Sequence, residues 1–267
     1  MIGRRGALLA SGPLFLACVA TLAIGFVAAR AYAQSEEQEA GEKIVAIYLG
    51  AAPLVDDVEL NRYVSLVGRR IADQSERGSL EWTFGVLESD SVNAFSAPGG
   101  YVLLTRGLLA LLDSEDELAA VLGHEVAHIT RQHHWKIIKQ QKDAAAIVAK
   151  MQGNMKGGNE LFTEMNSLFS DMMTRGLDKG AEFEADRDAL ILAANAGYDC
   201  SAILSLLEKL DNLKTDSDGN SLLFQTHPSP AERIEEVISV LTPEMDACAV
   251  ASPAAQRYRQ YVHNDAG

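Results

Sequence analysis

The chain has 267 residues and carries 37 acidic against 23 basic side chains, a formal net charge of −14. That acidity excludes nucleic acid and an anionic membrane surface as partners, since both repel a negative protein.

The first 33 residues stand apart. Arg4 and Arg5 make a basic start, residues 14–29 form an apolar run, and Ala31-Tyr32-Ala33 gives an A-x-A site before Gln34. This is the pattern of a secretory signal peptide cleaved after Ala33. The alternative is a retained anchor, because the run is only a little short of the roughly 18 residues of a membrane span. Cleavage would remove three arginines and leave 234 residues at −17, a length that suits one domain with a substantial core. Cys200 and Cys248 would remain; an oxidising compartment would let them pair, although two cysteines alone do not establish a bond.

Residues 36–49 read as a helix. Beyond Pro53, Leu60, Tyr63, Val64, Val67 and Ile71 recur at helical spacing from an Asp56/Asp57 start. Glu81 to Glu88 is strand-like, rich in aromatic and β-branched residues. Residues 92–104 form a second extended segment broken by Pro98-Gly99-Gly100. Proline belongs at sheet edges, so this segment is either an edge that pairs with an extended substrate or a plain hairpin.

Ser114-x-x-Glu117 is a capping box that starts a helix bearing Leu118, Val121, Leu122 and Val126 on an apolar stripe. Within it stands His124-Glu125-Val126-Ala127-His128, an H-E-x-x-H set. At about 100° per residue, positions four apart share a helix face, so both imidazoles can reach one metal ion with Glu125 beside it. Zinc takes two such histidines and a third protein ligand and leaves a position for water, from which Glu125 would take a proton.

Three residues compete for the third place. His134 has the metzincin spacing, but Arg131 stands where that motif needs a turning glycine; His133 and His134 read instead as a polar, partly exposed helix end. Glu182 opens a helix that runs to about Ala196 with Gly197 as its stop, and Asp186 shares its face. One carboxylate can bind metal while the other holds the second nitrogen of a ligand histidine; Glu184, about 200° around from Glu182, should face elsewhere. Glu182 is the favoured ligand. His227, ahead of a helix from Ala231 to about Leu241, is either an extra ligand or a donor to the oxyanion of peptide hydrolysis.

Between the two metal motifs, a continuing helix gives way to a glycine-rich loop at 152–159. Leu161, Met165, Leu168, Phe169, Met172 and Met173 follow as an apolar stripe, for core packing or for a mobile lid. Asp199 caps a helix to about Leu210. Thr215 to Asn220 lacks the length of a calcium loop and reads as a turn.

H-E-x-x-H, E-x-x-x-D and H-P-x-x-x-x-R in this order resemble the HtpX/BepA/LoiP-type zinc metallopeptidases, relatives of the CAAX prenyl and mitochondrial Oma-type peptidases. Val92 to Val102 is close to that family's N-A-F-x-x-P-G-G stretch, and the similarity spans roughly residues 40–242. The resemblance implies one Zn2+ per chain on His124, His128 and Glu182. It makes Glu125 the general base, has Asp186 support a ligand histidine, and puts His227 and Arg233 at the rim as transition-state or regulatory groups. The expected fold is mainly α (α+β), gluzincin-like, with a small antiparallel sheet beside the active-site helix. Residues 34–80 would pack on a catalytic domain at 81–242, followed by a tail at 243–267, a short helix or loose segment.

The chain is most like short periplasmic members without tetratricopeptide repeats. The implied role is endoproteolysis of unfolded or misassembled envelope proteins in the periplasm, with outer-membrane association and the outer-membrane assembly machinery as a candidate partner. The competing role is a chaperone or assembly factor with a closed or regulated zinc site.

Overall fold

A computed structural model describes residues 35–151, 177–213, 226–227, 230–241 and 254–262. The segments read from the sequence as a signal peptide (residues 1–33), as a loop and methionine stripe (152–173) and as a turn (215–220) lie outside the described residues.

Helix α1 (residues 35–51) buries Glu37, Ala40, Gly41, Ile44 and Tyr48 along one face. Asp57 caps α2 (Val58–Ala72) by accepting the Leu60 N–H at 2.9 Å. The five apolar residues of its stripe are all buried, as the spacing predicts. Three strands follow: β1 (Thr83–Leu87), β2 (Ala94–Ala97) and β3 (Tyr101–Thr105). Gly99 and Gly100 turn β2 into β3 at φ +88° and +110°, a region closed to most side chains. The sheet order is β1-β3-β2, with β2 antiparallel and β1 parallel to β3. The sheet is therefore mixed rather than wholly antiparallel: β1 pairs with the far strand of the hairpin, which leaves β2 as an edge.

Thr105 caps the short α3 (Arg106–Leu111), and Ser114 caps α4 (Glu115–Thr130) by accepting the Glu117 N–H at 3.2 Å. Every residue of α4 from Glu115 to Ile129 is buried. A helix covered on all sides must be central, and α4 packs on α2, the sheet and three later helices. These are α6 (Lys179–Asn195), α7 (Ala202–Leu213) and α9 (Ala254–Val262), with α5 (His133–Met151) following α4 directly and α8 (Pro230–Val240) packed on α6 and α7. Gly197, at φ +79°, stops α6 in a Schellman motif: the Tyr198 N–H reaches the Ala193 carbonyl at 2.9 Å.

The apolar interior has two parts. Leu60, Val64, Val86, Val102, Leu118, Leu122 and Leu190 belong to the main core around α4. Phe95, Leu103, Ile44, Tyr48 and Trp135 fill the other side of the sheet, under α1 and α5. The strands are thus covered on both faces, and the hairpin is clamped from outside: a Cβ on Gly41 would lie 1.8 Å from the Pro98 carbonyl oxygen. Among the described residues, no helix is long and apolar enough to cross a membrane.

Candidate metal centre

Gly123 lets α4 and α6 touch; a Cβ there would come within 3.2 Å of the Ala189 Cα. That close approach brings the face bearing His124 and His128 against the face bearing Glu182 and Asp186. The Nε2 atoms of the two histidines are 2.9 Å apart, and each lies 3.5 Å from a Glu182 oxygen. His227 completes the group: its Nδ1 is 3.4 Å from His124 Nε2 and 3.0 Å from Glu182 Oε2. One donor atom from each of the four residues lies within 4.8 Å of the others, and all four side chains are buried. A tetrahedral ion about 2.1 Å from nitrogen and oxygen ligands separates them by about 3.4 Å, so the donor set fits zinc in both chemistry and spacing.

The backing of each ligand differs. His124 Nδ1 meets Asp186 Oδ1 at 2.8 Å, and Arg233 grips the same carboxylate through two nitrogens at 2.6 and 2.7 Å. Arg233 is only 4% exposed. It backs His124 through Asp186 and also lines the cleft with Glu125 and His227. Its guanidinium, against the contrary effect of burial, holds the Asp186 carboxyl below its ordinary value. Burial and Arg233 oppose a proton on His124, yet Asp186 and Glu182 outweigh them and lift it to about 9. Burial, then the neighbouring His124 charge, pushes His128 well below the ordinary histidine value. Burial also works against ionised Glu182, but the charge and hydrogen bonds of His227 and His124 hold its carboxyl well below the ordinary value.

His227 is buried as well, inside the cluster, with Nε2 3.8 Å from Glu125 Oε1. Glu125 is 2% exposed, and its Oε2 has no hydrogen-bond partner among the described residues. A carboxylate oxygen left unpaired in the interior is costly, and here it adjoins the metal ligands. A cleft lined by Leu108, Val121, Leu206 and Leu210 opens beside Glu125 and His124, with Ala94 of the β2 edge on its wall.

His134 is absent from the donor group. The reading of its neighbour needs correction. His133 is no exposed helix end; it is buried, with Nδ1 2.8 Å from His128 Nδ1 and Nε2 3.2 Å from Glu184 Oε2. The chain does turn after α4, at Gln132 with φ 57°, a left-handed residue that is not glycine. Gln132 Nε2 donates to Glu37 at 2.9 Å, and Arg77 binds both Glu37 and the Ile129 carbonyl. No local sequence signal marks this turn, because residues 37 and 77 hold it.

A helix-borne pair of histidines, a glutamate between them and a glutamate from a second helix define a metallopeptidase-type centre. The chain belongs to peptidase family M48, whose family model matches residues 59–240. The beta-barrel assembly-enhancing protease of Escherichia coli is 27% identical over 210 residues, 75% of this chain and 43% of that protein. The mitochondrial metalloendopeptidase OMA1 of Schizosaccharomyces pombe is 32% identical over 176 residues, 66% of this chain and 51% of that one. Metalloprotease LoiP of Escherichia coli is 25% identical over 156 residues, 58% of this chain and 60% of that one. The chain thus spans about half the length of these relatives.

Proposed function

We propose that the protein is a zinc-dependent endopeptidase of the bacterial periplasm that cuts unfolded or misassembled envelope proteins. The observation that carries this reading is the four-donor cluster with the unpartnered Glu125 oxygen beside it. His124, His128 and Glu182 would hold one zinc per chain. The bound ion supplies Lewis acidity toward the scissile carbonyl and makes water acidic. Glu125 takes the proton of the attacking water and passes it to the leaving amine. Asp186 keeps His124 in the tautomer that offers Nε2, and Arg233 keeps Asp186 ionised and in place. Ala94, at the start of the β2 edge, lines the cleft, and the nearby Ser96 Oγ and Asn93 Nδ2 are buried without partners among the described residues. An extended substrate segment pairing there would need main-chain bonds and little sequence, which suits unfolded chains. The name of the Escherichia coli assembly-enhancing relative supports an envelope role and an outer-membrane assembly partner, and the A-x-A site at 31–33 supports export.

His227 favours a second reading. Its Nδ1 lies with the other three donors, and a zinc held by all four side chains would be a closed, structural site. In this state the protein would serve as a chaperone or assembly factor, and peptidase action would require His227 to swing out. Cleavage of a denatured outer-membrane barrel protein by the zinc-loaded chain, with and without chelator, tests the first reading beside His227→Ala. Chelator-sensitive cleavage, kept or raised in His227→Ala, supports the peptidase. No cleavage by either protein at one zinc per chain supports the closed site.

A further inference from the structure

We propose that His133 is a positioning residue, one that fixes the tautomer and ring orientation of the ligand His128 while Glu184 anchors it from behind. The inference rests on the zinc reading of the site and adds a residue to it.

The direction of each hydrogen bond follows from the geometry. His128 turns Nε2 toward the donor cluster, 2.9 Å from His124 Nε2 and 3.5 Å from Glu182. A ligand nitrogen must offer its lone pair, so the His128 proton sits on Nδ1. That N–H lies in the interior, where leaving it unpaired is costly. The atom facing it, at 2.8 Å, is His133 Nδ1. Two Nδ1 atoms in contact require one donor and one acceptor. His128 being the donor, His133 accepts, and its own proton lies on Nε2. There it faces the Glu184 carboxylate at 3.2 Å. The chain His128 to His133 to Glu184 thus has a single consistent set of protons.

His133 is not itself a ligand, because its Nδ1 points at the back of His128. Nor is its place an accident of packing: the left-handed Gln132, tied to Glu37, returns the chain to the metal helix after Ile129. On the other ligand, Asp186 makes the corresponding contact to His124 at 2.8 Å. Outer-shell partners of this kind change metal affinity by about 10–100-fold when removed.

The test is the zinc dissociation constant of the full chain, read by competition with a chromogenic chelator. The variants are His133→Leu, His133→Asn and Glu184→Ala. Leucine fills space and accepts nothing; its expected effect is a loss of about 10–100-fold. Asparagine carries Oδ1 near the position of Nδ1 and can accept the His128 proton, so it should recover most of that loss. Glu184→Ala, at an exposed residue, should weaken zinc by a few-fold without touching the fold. Thermal melting of the zinc-free proteins separates metal affinity from stability.

Equal affinity in all variants would overturn the proposal. So would an asparagine variant as weak as the leucine one, since volume and not the hydrogen bond would then matter. If His133→Leu does not fold, the other two variants decide, a wild-type constant in both of them counting against the proposal. A wild type that binds no zinc would sink the metal centre itself, a failure visible before any variant is compared.

Discussion

Helix α4 carries buried carboxylates at its N-terminal end and in its middle, and their surroundings are opposite. At the N-terminal end, Glu115 accepts from the Tyr63 and Tyr198 hydroxyls at 2.9 and 3.0 Å and from Arg257 through two nitrogens. Two residues further on, Glu117 accepts from Ser205, from Lys209 and from the Asp113 N–H. In the middle of the helix, Glu125 keeps one oxygen without any partner among the described residues. Fully satisfied buried charge fixes structure. An unsatisfied one costs stability and persists where chemistry needs it. The first group docks α2, α7 and α9 on the central helix; Glu125 faces the metal ligands.

The largest expected effect that separates the two regions falls on metal binding. Asp186→Ala should weaken zinc by about 10–100-fold, since His124 loses the group that orients it. The same change strands the Arg233 charge in the interior, so melting of the zinc-free protein should fall too. A chelator titration and a melting curve on one sample read both. Unchanged zinc affinity would remove Asp186 from the site.

Glu115→Ala should act on stability alone, by about 2 kcal/mol, because two tyrosine hydroxyls lose their acceptor. Zinc content should stay at the wild-type value; a loss of zinc would mean that the two regions of α4 are not independent. The effect has a pH signature. Burial would raise the Glu115 carboxyl, but Arg257 and the two tyrosines hold it below its ordinary 4.5. A depressed folded value means that the contribution is complete above about pH 4.5 and lost as pH falls through the folded value. The stability gap between wild type and Glu115→Gln, measured by urea unfolding, should therefore shrink below that pH and be flat above it. The smallest change belongs to Arg257→Ala. Arg257 is half-exposed, so the ion pair contributes about 1 kcal/mol or less, read as a slight drop in the urea midpoint.

The same contrast marks what the sequence made legible. The α2 stripe, the Ser114 cap, the Gly197 stop, the His124/His128 face and the Glu182/Asp186 face all rest on spacings within one helix. Each is present in the structure. Contacts held by distant residues left no local trace. Glu115 is clamped by residues 52, 83 and 142 positions away. The turn that brings His133 to His128 uses a left-handed glutamine, which Glu37 and Arg77 stabilise from elsewhere in the chain. β1 joins the sheet parallel to β3, and alternation along a strand does not state the direction of its partner. Arg233 followed a helix start correctly, but only the packing of α8 on α6 shows that it backs His124 through Asp186.

The most direct test of the account is one comparison of Glu125→Gln with wild type: cleavage of a denatured outer-membrane protein, normalised to bound zinc. The amide has nearly the same shape and no basic oxygen. Cleavage should fall by at least about 100-fold while one zinc per chain is retained, and the zinc-free variant should melt no lower than wild type. Cleavage that persists at the wild-type rate would contradict the assignment of Glu125 as the base and, with it, the reading of its unpaired oxygen as the working atom of the site.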